Sequence, residues 1–182
     1  MLTRGFLQRM CFLQIGDITV TMKSVIMQDA SQKAYDVLVS QGLTFPDRPE
    51  EEIPSLPSDI TELSDEALMF GYTSLVAWTD FAASQAAAAS VDERAAFAAA
   101  DRAELQVLGS ITTKGAVSLS KARAASDPDV VELKADAEYA HHYRKMVETV
   151  RDNLDRNYAL FSRELTRRTS TDPRTRKDRY TT

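Results

Sequence analysis

Residues 64–108 read SDEALMFGYTSLVAWTDFAASQAAAASVDERAAFAAADRAELQVL, and this stretch decides the fold because it contains no proline. Ser64 and the two acids after it supply an N-cap and a negative first turn, and Gly109 offers a stop. Apolar or small side chains recur every seven residues along two lines, which only Thr79 and Glu93 interrupt. The stretch predicts one long helix with a coiled-coil-like seam. The two lines are Leu68, Leu75, Ala82, Ala89, Ala96, Ala103 and Tyr72, Thr79, Ala86, Glu93, Ala100, Val107.

A second long helix is predicted to begin after residue 126. Asp127 can cap it, and Pro128 fits the first helical position, where its missing N–H costs nothing. Arg144 and Arg151 interrupt its apolar seam, and the helical period persists to about Arg168. The seam residues are Leu133, Ala140, Val147, Leu154 and Phe161.

Residues 109–126 separate the two helices and contain two glycines and several serines, so they are predicted to form a mobile loop. Two long helices joined by so short a connection most simply fold back on each other. Glycine and proline are scarce in the composition, which favours helices over sheets. The predicted fold class is all-α, built on a long antiparallel helical hairpin that spans residues 64–168.

The segments outside the hairpin are predicted to carry little structure. Residues 1–42 form an N-terminal segment with one predicted helix at 24–41, for which Gly42 is the stop. Residues 43–63 hold four prolines and the acidic run 50–52, a composition that stays extended as a linker or a surface strap. Residues 169–182 are polar and basic and are predicted to be a disordered tail.

A hairpin of two helices leaves apolar flanks uncovered, and self-association through the helices would cover them. We therefore expect a homo-oligomer. The alternative is a three-helix monomer in which the N-terminal helix packs back on the hairpin. The residues assigned to an oligomer interface are Leu68, Tyr72, Leu75, Trp78, Val147, Leu154 and Phe161.

Several function classes lack the residues that they need. A single cysteine, Cys11, excludes an internal disulfide, so a cytoplasmic location is expected. His141 and His142 are neighbours on a helix and point about 100° apart, which does not suit one metal ion. No phosphate-binding loop, dinucleotide fingerprint or hydrolase elbow occurs, and no stretch has the length of apolar sequence that spans a membrane. We therefore expect a protein that is not an enzyme, binds no cofactor and does not span a membrane.

The basic residues are distributed unevenly. The whole chain has a formal charge of −5, yet residues 163–179 contain seven basic and three acidic side chains. Arginines near a helix C-terminus are expected from the helix dipole alone. They would also suit contact with phosphates, which makes binding depend on salt. The stripe on the second long helix consists of Arg156, Arg163, Arg167 and Arg168.

The order of these features resembles the UvsY-like recombination mediators of tailed bacteriophages. The lead-in LPSDIT at 56–61 precedes a long helix with early aromatic residues, Tyr72 and Trp78, and then a loop. The second helix opens with DPDVV at 127–131 and closes in the arginine-rich segment SRELTRR at 162–168. No single motif is specific, and the resemblance rests on their order and spacing over residues 56–168.

The resemblance implies a non-catalytic protein that forms ring-like oligomers, binds single-stranded DNA and contacts a phage recombinase and a single-strand-binding protein. The positions that match the DNA-contacting region of the family are Arg102, Lys114, Lys121 and Arg123. The chain departs from the family pattern because its first long helix is rich in alanine and its basic charge lies toward the C-terminus.

Two other functions fit the same sequence. A phage virion structural or assembly protein would use the coiled coil itself, with the basic tail as a solubilising segment. An adaptor would dock a partner through the proline-rich, acidic stretch at 45–58.

Overall fold

The computed structural model of the protein describes residues 27–111 and 117–171, and within these ranges it contains helices and no strand. The all-α prediction is confirmed. The α-helices are α1 (Asp29–Ser40), α2 (Asp65–Ser110), α3 (Val117–Ala125) and α4 (Pro128–Thr171), and a 3-10 turn at Ile60–Glu62 precedes α2. The residues assigned to the N-terminal segment before 27 and to the tail after 171 lie outside the described ranges.

The long helices begin where their capping residues are. The Ser64 hydroxyl accepts a hydrogen bond from the Ala67 amide at 3.1 Å, and the Asp127 carboxylate accepts one from the Asp129 amide at 3.1 Å. Each bond satisfies an amide that has no partner inside its own helix. At the other end, α2 passes through Gly109 and ends at Ser110, while α4 continues three residues beyond Arg168.

Helices α2 and α4 form the antiparallel hairpin that the two seams predicted. Cross-helix hydrogen bonds and ion pairs show that the two helices run in opposite directions. As the residue number on α2 rises, the number of its partner on α4 falls. The pairs are Asp65 with Arg168, Tyr72 with Tyr158, Gln85 with Tyr143 and Glu104 with Lys134.

The core of the hairpin lies at the end where α2 begins and α4 ends. Leu68 and Leu75 are fully buried there, and Leu154 and Phe161 from α4 pack against them. Five of the seven residues assigned to an oligomer interface, Leu68, Leu75, Trp78, Leu154 and Phe161, are therefore buried inside one chain. That assignment is corrected: a seam pattern marks a helix that needs a partner, and here the partner helix belongs to the same chain. Tyr72 and Val147 are half-buried.

Residues 109–126 differ from the predicted loop, because Val117–Ala125 forms α3. Ala124 is fully buried, and α3 contacts both α2 and α4. The alanines, leucine, lysine and arginine of this segment are good helix formers, and packing of one small residue stabilises a helix that the serines alone disfavour.

The N-terminal helix is shorter than predicted and packs back onto the hairpin. It begins at Asp29 instead of residue 24, and of the predicted extension only residues 27 and 28 lie in the described range. Gly42 adopts φ +80° just after its end, in agreement with the predicted stop. The start is set by Asp92 of α2, whose carboxylate accepts hydrogen bonds from the Ser31 amide at 2.9 Å and the Gln28 amide at 3.2 Å.

The proline-rich segment between α1 and the 3-10 turn is a strap that crosses α2. The Trp78 indole N–H donates to the Glu51 carbonyl at 3.1 Å, and the Arg48 guanidinium lies 5.6 Å from the centre of the Trp78 ring. Of the two alternatives that the sequence left open for this segment, the structure shows the strap.

Candidate nucleic-acid interface

The basic stripe near the end of α4 contains two arginines that form no ion pair with a carboxylate of the described ranges. Arg163 is exposed and makes no hydrogen bond or ion pair with any residue of those ranges. Arg156 is also exposed, and its guanidinium contacts Asn153 and the Asp152 carbonyl within the same helix. Both side chains therefore present a guanidinium group at the surface.

Arg167 is held in a fork by Glu164. Its Nε and Nη2 atoms donate to the two Glu164 carboxylate oxygens at 2.7 and 2.6 Å, a bidentate geometry. The Arg167 side chain nevertheless remains 58 % exposed, whereas that of Glu164 is only 5 % exposed. The fork orients the Arg167 guanidinium toward the surface of the helix end and partly neutralises it.

Arg168 is a structural residue in this arrangement. It donates to Glu164 at 2.8 Å, to the Asp65 carboxylate at 2.6 Å and to the Thr61 carbonyl at 3.1 Å. These contacts join the end of α4 to the 3-10 turn and to the first turn of α2. We refer to Glu164, Arg168, Asp65 and Thr61 as the clasp.

The clasp also controls the ionisation of Glu164. Hydrogen bonds from Arg167, and then from Arg168, lower the pKa of the Glu164 carboxyl from its ordinary 4.5 to about 2, against a smaller opposing effect of burial. The carboxylate therefore remains charged over the whole physiological range, and both arginines keep their anionic partner.

The basic residues that match the family pattern lie at the opposite end of the hairpin. Arg102 on α2 and Lys121 and Arg123 on α3 are exposed, while Lys114 is outside the described ranges. Helix α4 rises about 52 Å between Pro128 and Arg163, so the two basic groups are not brought together. Near the tip, Glu104 of α2 pairs with Lys134 of α4 at 2.5 Å.

A polar cluster that the sequence did not assign lies in the middle of the hairpin. Glu93 and Arg144 interrupt the two predicted seams, and the structure shows that they pair with each other. His141 contacts the same carboxylate at 2.6 Å, and Arg144 also pairs with Glu148. Burial opposes ionisation of Glu93, but the hydrogen bonds from His141 and Arg144 outweigh it and lower the pKa of Glu93. The sequence contained this signal, because a glutamate and an arginine that interrupt two facing seams can pair across them.

The described residues offer little room for a small ligand. A cavity of about 20 Å³, enough for roughly one water molecule, lies beside Asp92 and is lined by Gln28, Ala89, Tyr139, Ala140 and Tyr143. Within the described ranges, no three side chains of His, Cys, Asp or Glu are placed to hold a metal ion. None of the helices described here combines the length and apolarity needed to cross a membrane.

Taken together, the fold and the site define a class, an all-α hairpin protein with a basic helix end. Comparison with protein-family models, curated proteins and solved structures finds no match to this chain.

Proposed function

We propose that the protein is a non-catalytic recombination mediator of the phage type, which binds single-stranded DNA through the C-terminal end of α4. The observation that carries the proposal is the exposed Arg163, which pairs with no carboxylate of the described residues. Arg156 lies two turns before it and the forked Arg167 one turn after it. The chain after residue 171 adds four basic side chains in sequence, Arg174, Arg176, Lys177 and Arg179.

The contacts already made by each arginine determine its role in the proposed site. Arg156 and Arg163 are exposed and form no ion pair with a described carboxylate, which suits sequence-independent contact with phosphates. Arg167 presents an oriented guanidinium, and Arg168 holds the helix ends together. The exposed Arg102, Lys121 and Arg123 are a secondary group, because they lie at the opposite end of the hairpin from the arginine stripe.

The proposed partners follow from the resemblance over residues 56–168. They are a phage recombinase and a single-strand-binding protein, and the proposed location is the cytoplasm of the host cell. The extended hairpin supports this role because it presents long helix faces to other proteins.

Fluorescence anisotropy with a labelled single-stranded oligonucleotide tests the DNA-binding proposal. The double variant Arg156→Gln, Arg163→Gln should bind more weakly, and its log–log salt slope should be smaller by about 0.7 for each phosphate that is no longer neutralised. The matched control is Arg102→Gln, Arg123→Gln, which removes two exposed cations from the other end of the hairpin and should change binding less.

Three results would contradict the proposal. They are absence of binding at low salt, binding that is indifferent to salt, and a control variant whose affinity falls further than that of the Arg156, Arg163 variant. The last result would transfer the DNA-binding surface to the hairpin tip.

A further inference from the structure

One line of side chains along α4 lies outside the buried seam, and its Tyr139 also lines the cavity beside Asp92. Its members are spaced seven residues apart, so they drift by only about 20° per step on a straight helix. The apolar members are strongly exposed: Tyr139 by 63 %, Met146 by 61 % and Leu160 by 40 %. Val150, beside the line, is 47 % exposed. We call this set the outer line, and it consists of Glu132, Tyr139, Met146, Asn153, Leu160 and Arg167.

The outer line is distinct from the seam that joins α4 to α2. The seam residues Ala137, Ala140, Leu154 and Phe161 are buried in the single chain. Burial of the seam therefore leaves the exposed apolar side chains of the outer line uncovered. An aligned apolar stripe on a helix surface is typical of a helix–helix contact.

The charges at the two ends of the outer line indicate which helix could pack on it and in which direction that helix would run. Glu132 lies at the N-terminal end and Arg167, which also pairs with Glu164, lies at the C-terminal end, and both are exposed. A parallel copy would place Glu132 against Glu132 and Arg167 against Arg167. An antiparallel copy would place each acid against a base, which is the arrangement that electrostatics favours.

The spacing is also self-complementary. The line is symmetric about a point between Met146 and Asn153, so the same register aligns Tyr139 with Leu160 while it aligns Glu132 with Arg167. Such a match of one surface with itself is what a two-fold dimer requires. Asn153, the only polar residue among the four inner positions, would help to set this register, as single polar residues do in coiled coils.

We propose that two copies of this chain associate through antiparallel α4 helices along the outer line, with the two-fold axis passing between Met146 and Asn153. This surface takes the place of the interface that the heptad pattern predicted, whose residues are mostly buried in the hairpin. The contact itself involves only protein, so it can be measured without DNA. It shares Arg167 with the proposed DNA-binding surface.

Disulfide cross-linking tests both the surface and its direction. In a Cys11→Ser background, Tyr139→Cys and Leu160→Cys are prepared separately and then mixed under mild oxidation. The two positions are 21 residues apart, about 32 Å along the helix. A linked dimer should form in the mixture, and neither variant alone should cross-link to itself.

Other cross-linking patterns would overturn the proposal. Self-linking of Tyr139→Cys would show a parallel pairing. Absence of any cross-link, together with a monomer by sedimentation, would show that the outer line is covered by something else, such as residues 1–26 of the same chain or a different protein.

Sedimentation equilibrium without nucleic acid provides the second measurement. Met146→Asp should weaken the dimer by at least about thirtyfold, the effect expected for a central interface residue. The control Leu105→Asp introduces the same charge on α2, where the leucine is 67 % exposed and away from the outer line, and should leave the dimer intact. Circular dichroism should show unchanged helicity for both variants, and equal dimerisation of both would contradict the proposal.

Discussion

Single residues in this hairpin have roles that depend on what faces them. Gly71 lies in the interior of α2, where glycine is normally unfavourable, yet it is buried against the ring of Phe161. A Cβ atom at this position would overlap that ring, and Phe161 is itself 3 % exposed, so it has little room to move. Gly71 therefore sets how closely the two helices approach.

Gly71→Ala should destabilise the protein even though alanine is the better helix former. Overpacking of a filled core costs about 1–3 kcal/mol, which outweighs the gain of about 1 kcal/mol in helix propensity. Urea unfolding monitored by circular dichroism measures the difference. Gly109→Ala is the control, because nothing lies within 4 Å of a Cβ atom there, and it should be neutral or stabilising. A stable Gly71→Ala variant would show that Phe161 can move aside.

At the scale of elements, the ends of the hairpin are held by charge as well as by apolar packing. The clasp links the last turns of α4 to the start of α2 through Arg168, which donates to both Glu164 and Asp65. Glu164 is the central acceptor, because Arg167 also donates to it. Helix ends usually fray, so a buried carboxylate with two guanidinium partners explains why α4 remains helical past Arg168.

The contribution of Glu164 to stability should depend on pH in a defined direction. Its pKa is lowered from 4.5 to about 2 in the folded protein, so the stabilisation is fully present above about 4.5 and is lost as the pH falls toward 2. Unfolding of wild type and Glu164→Gln should therefore differ at neutral pH and converge near pH 2. Glu138→Gln, at an exposed carboxyl on α4, should show no such convergence. A difference that stays constant across the range would show that ionisation of Glu164 does not stabilise the clasp.

At the scale of the whole molecule, α1 and the strap form a layer on the hairpin that is attached at two points. Asp92 receives the N-terminus of α1, including the Ser31 hydroxyl at 2.7 Å, and Trp78 holds the strap through the Glu51 carbonyl. Asp92 is only 7 % exposed. Its carboxylate caps the N-terminus of α1, and the same hydrogen bonds satisfy the buried carboxylate oxygens. The hairpin has its own core and does not need this layer to define its direction.

Asp92→Ala should release α1 while the hairpin stays folded. The substitution leaves the Ser31 amide without its acceptor, which costs about 1–3 kcal/mol and weakens the contact between α1 and α2. The Gln28 amide keeps the Ser31 hydroxyl as an acceptor at 2.9 Å. Hydrogen exchange should become faster across Asp29–Ser40 and remain slow in the cores of α2 and α4. The control Asp101→Ala removes an exposed carboxylate of α2 and should change neither region. Uniform acceleration in all helices would show that the layer and the hairpin unfold together.

The sequence by itself determined the helical class, the two long helices, their antiparallel return and the positions of their first residues. These properties depend on local signals that a single chain displays: a heptad period, an N-cap serine or aspartate, and the scarcity of glycine and proline. The DNA-binding and recombination role remains a proposal that rests on the resemblance and on the charge of the helix end.

The tertiary structure decided which of the apolar and basic residues are buried inside the chain and which are exposed for contact with a partner. The heptad pattern showed that Leu68 and Phe161 need a partner, but it could not tell an intrachain helix from a second copy, because both bury the same apolar area. The arginine stripe could not show that Asp65 engages Arg168, since a salt bridge between residues 103 positions apart depends on the packing of α2 against α4. That packing leaves Arg163 exposed, where we propose contact with phosphate, and leaves the outer line exposed, where we propose a second copy of the chain.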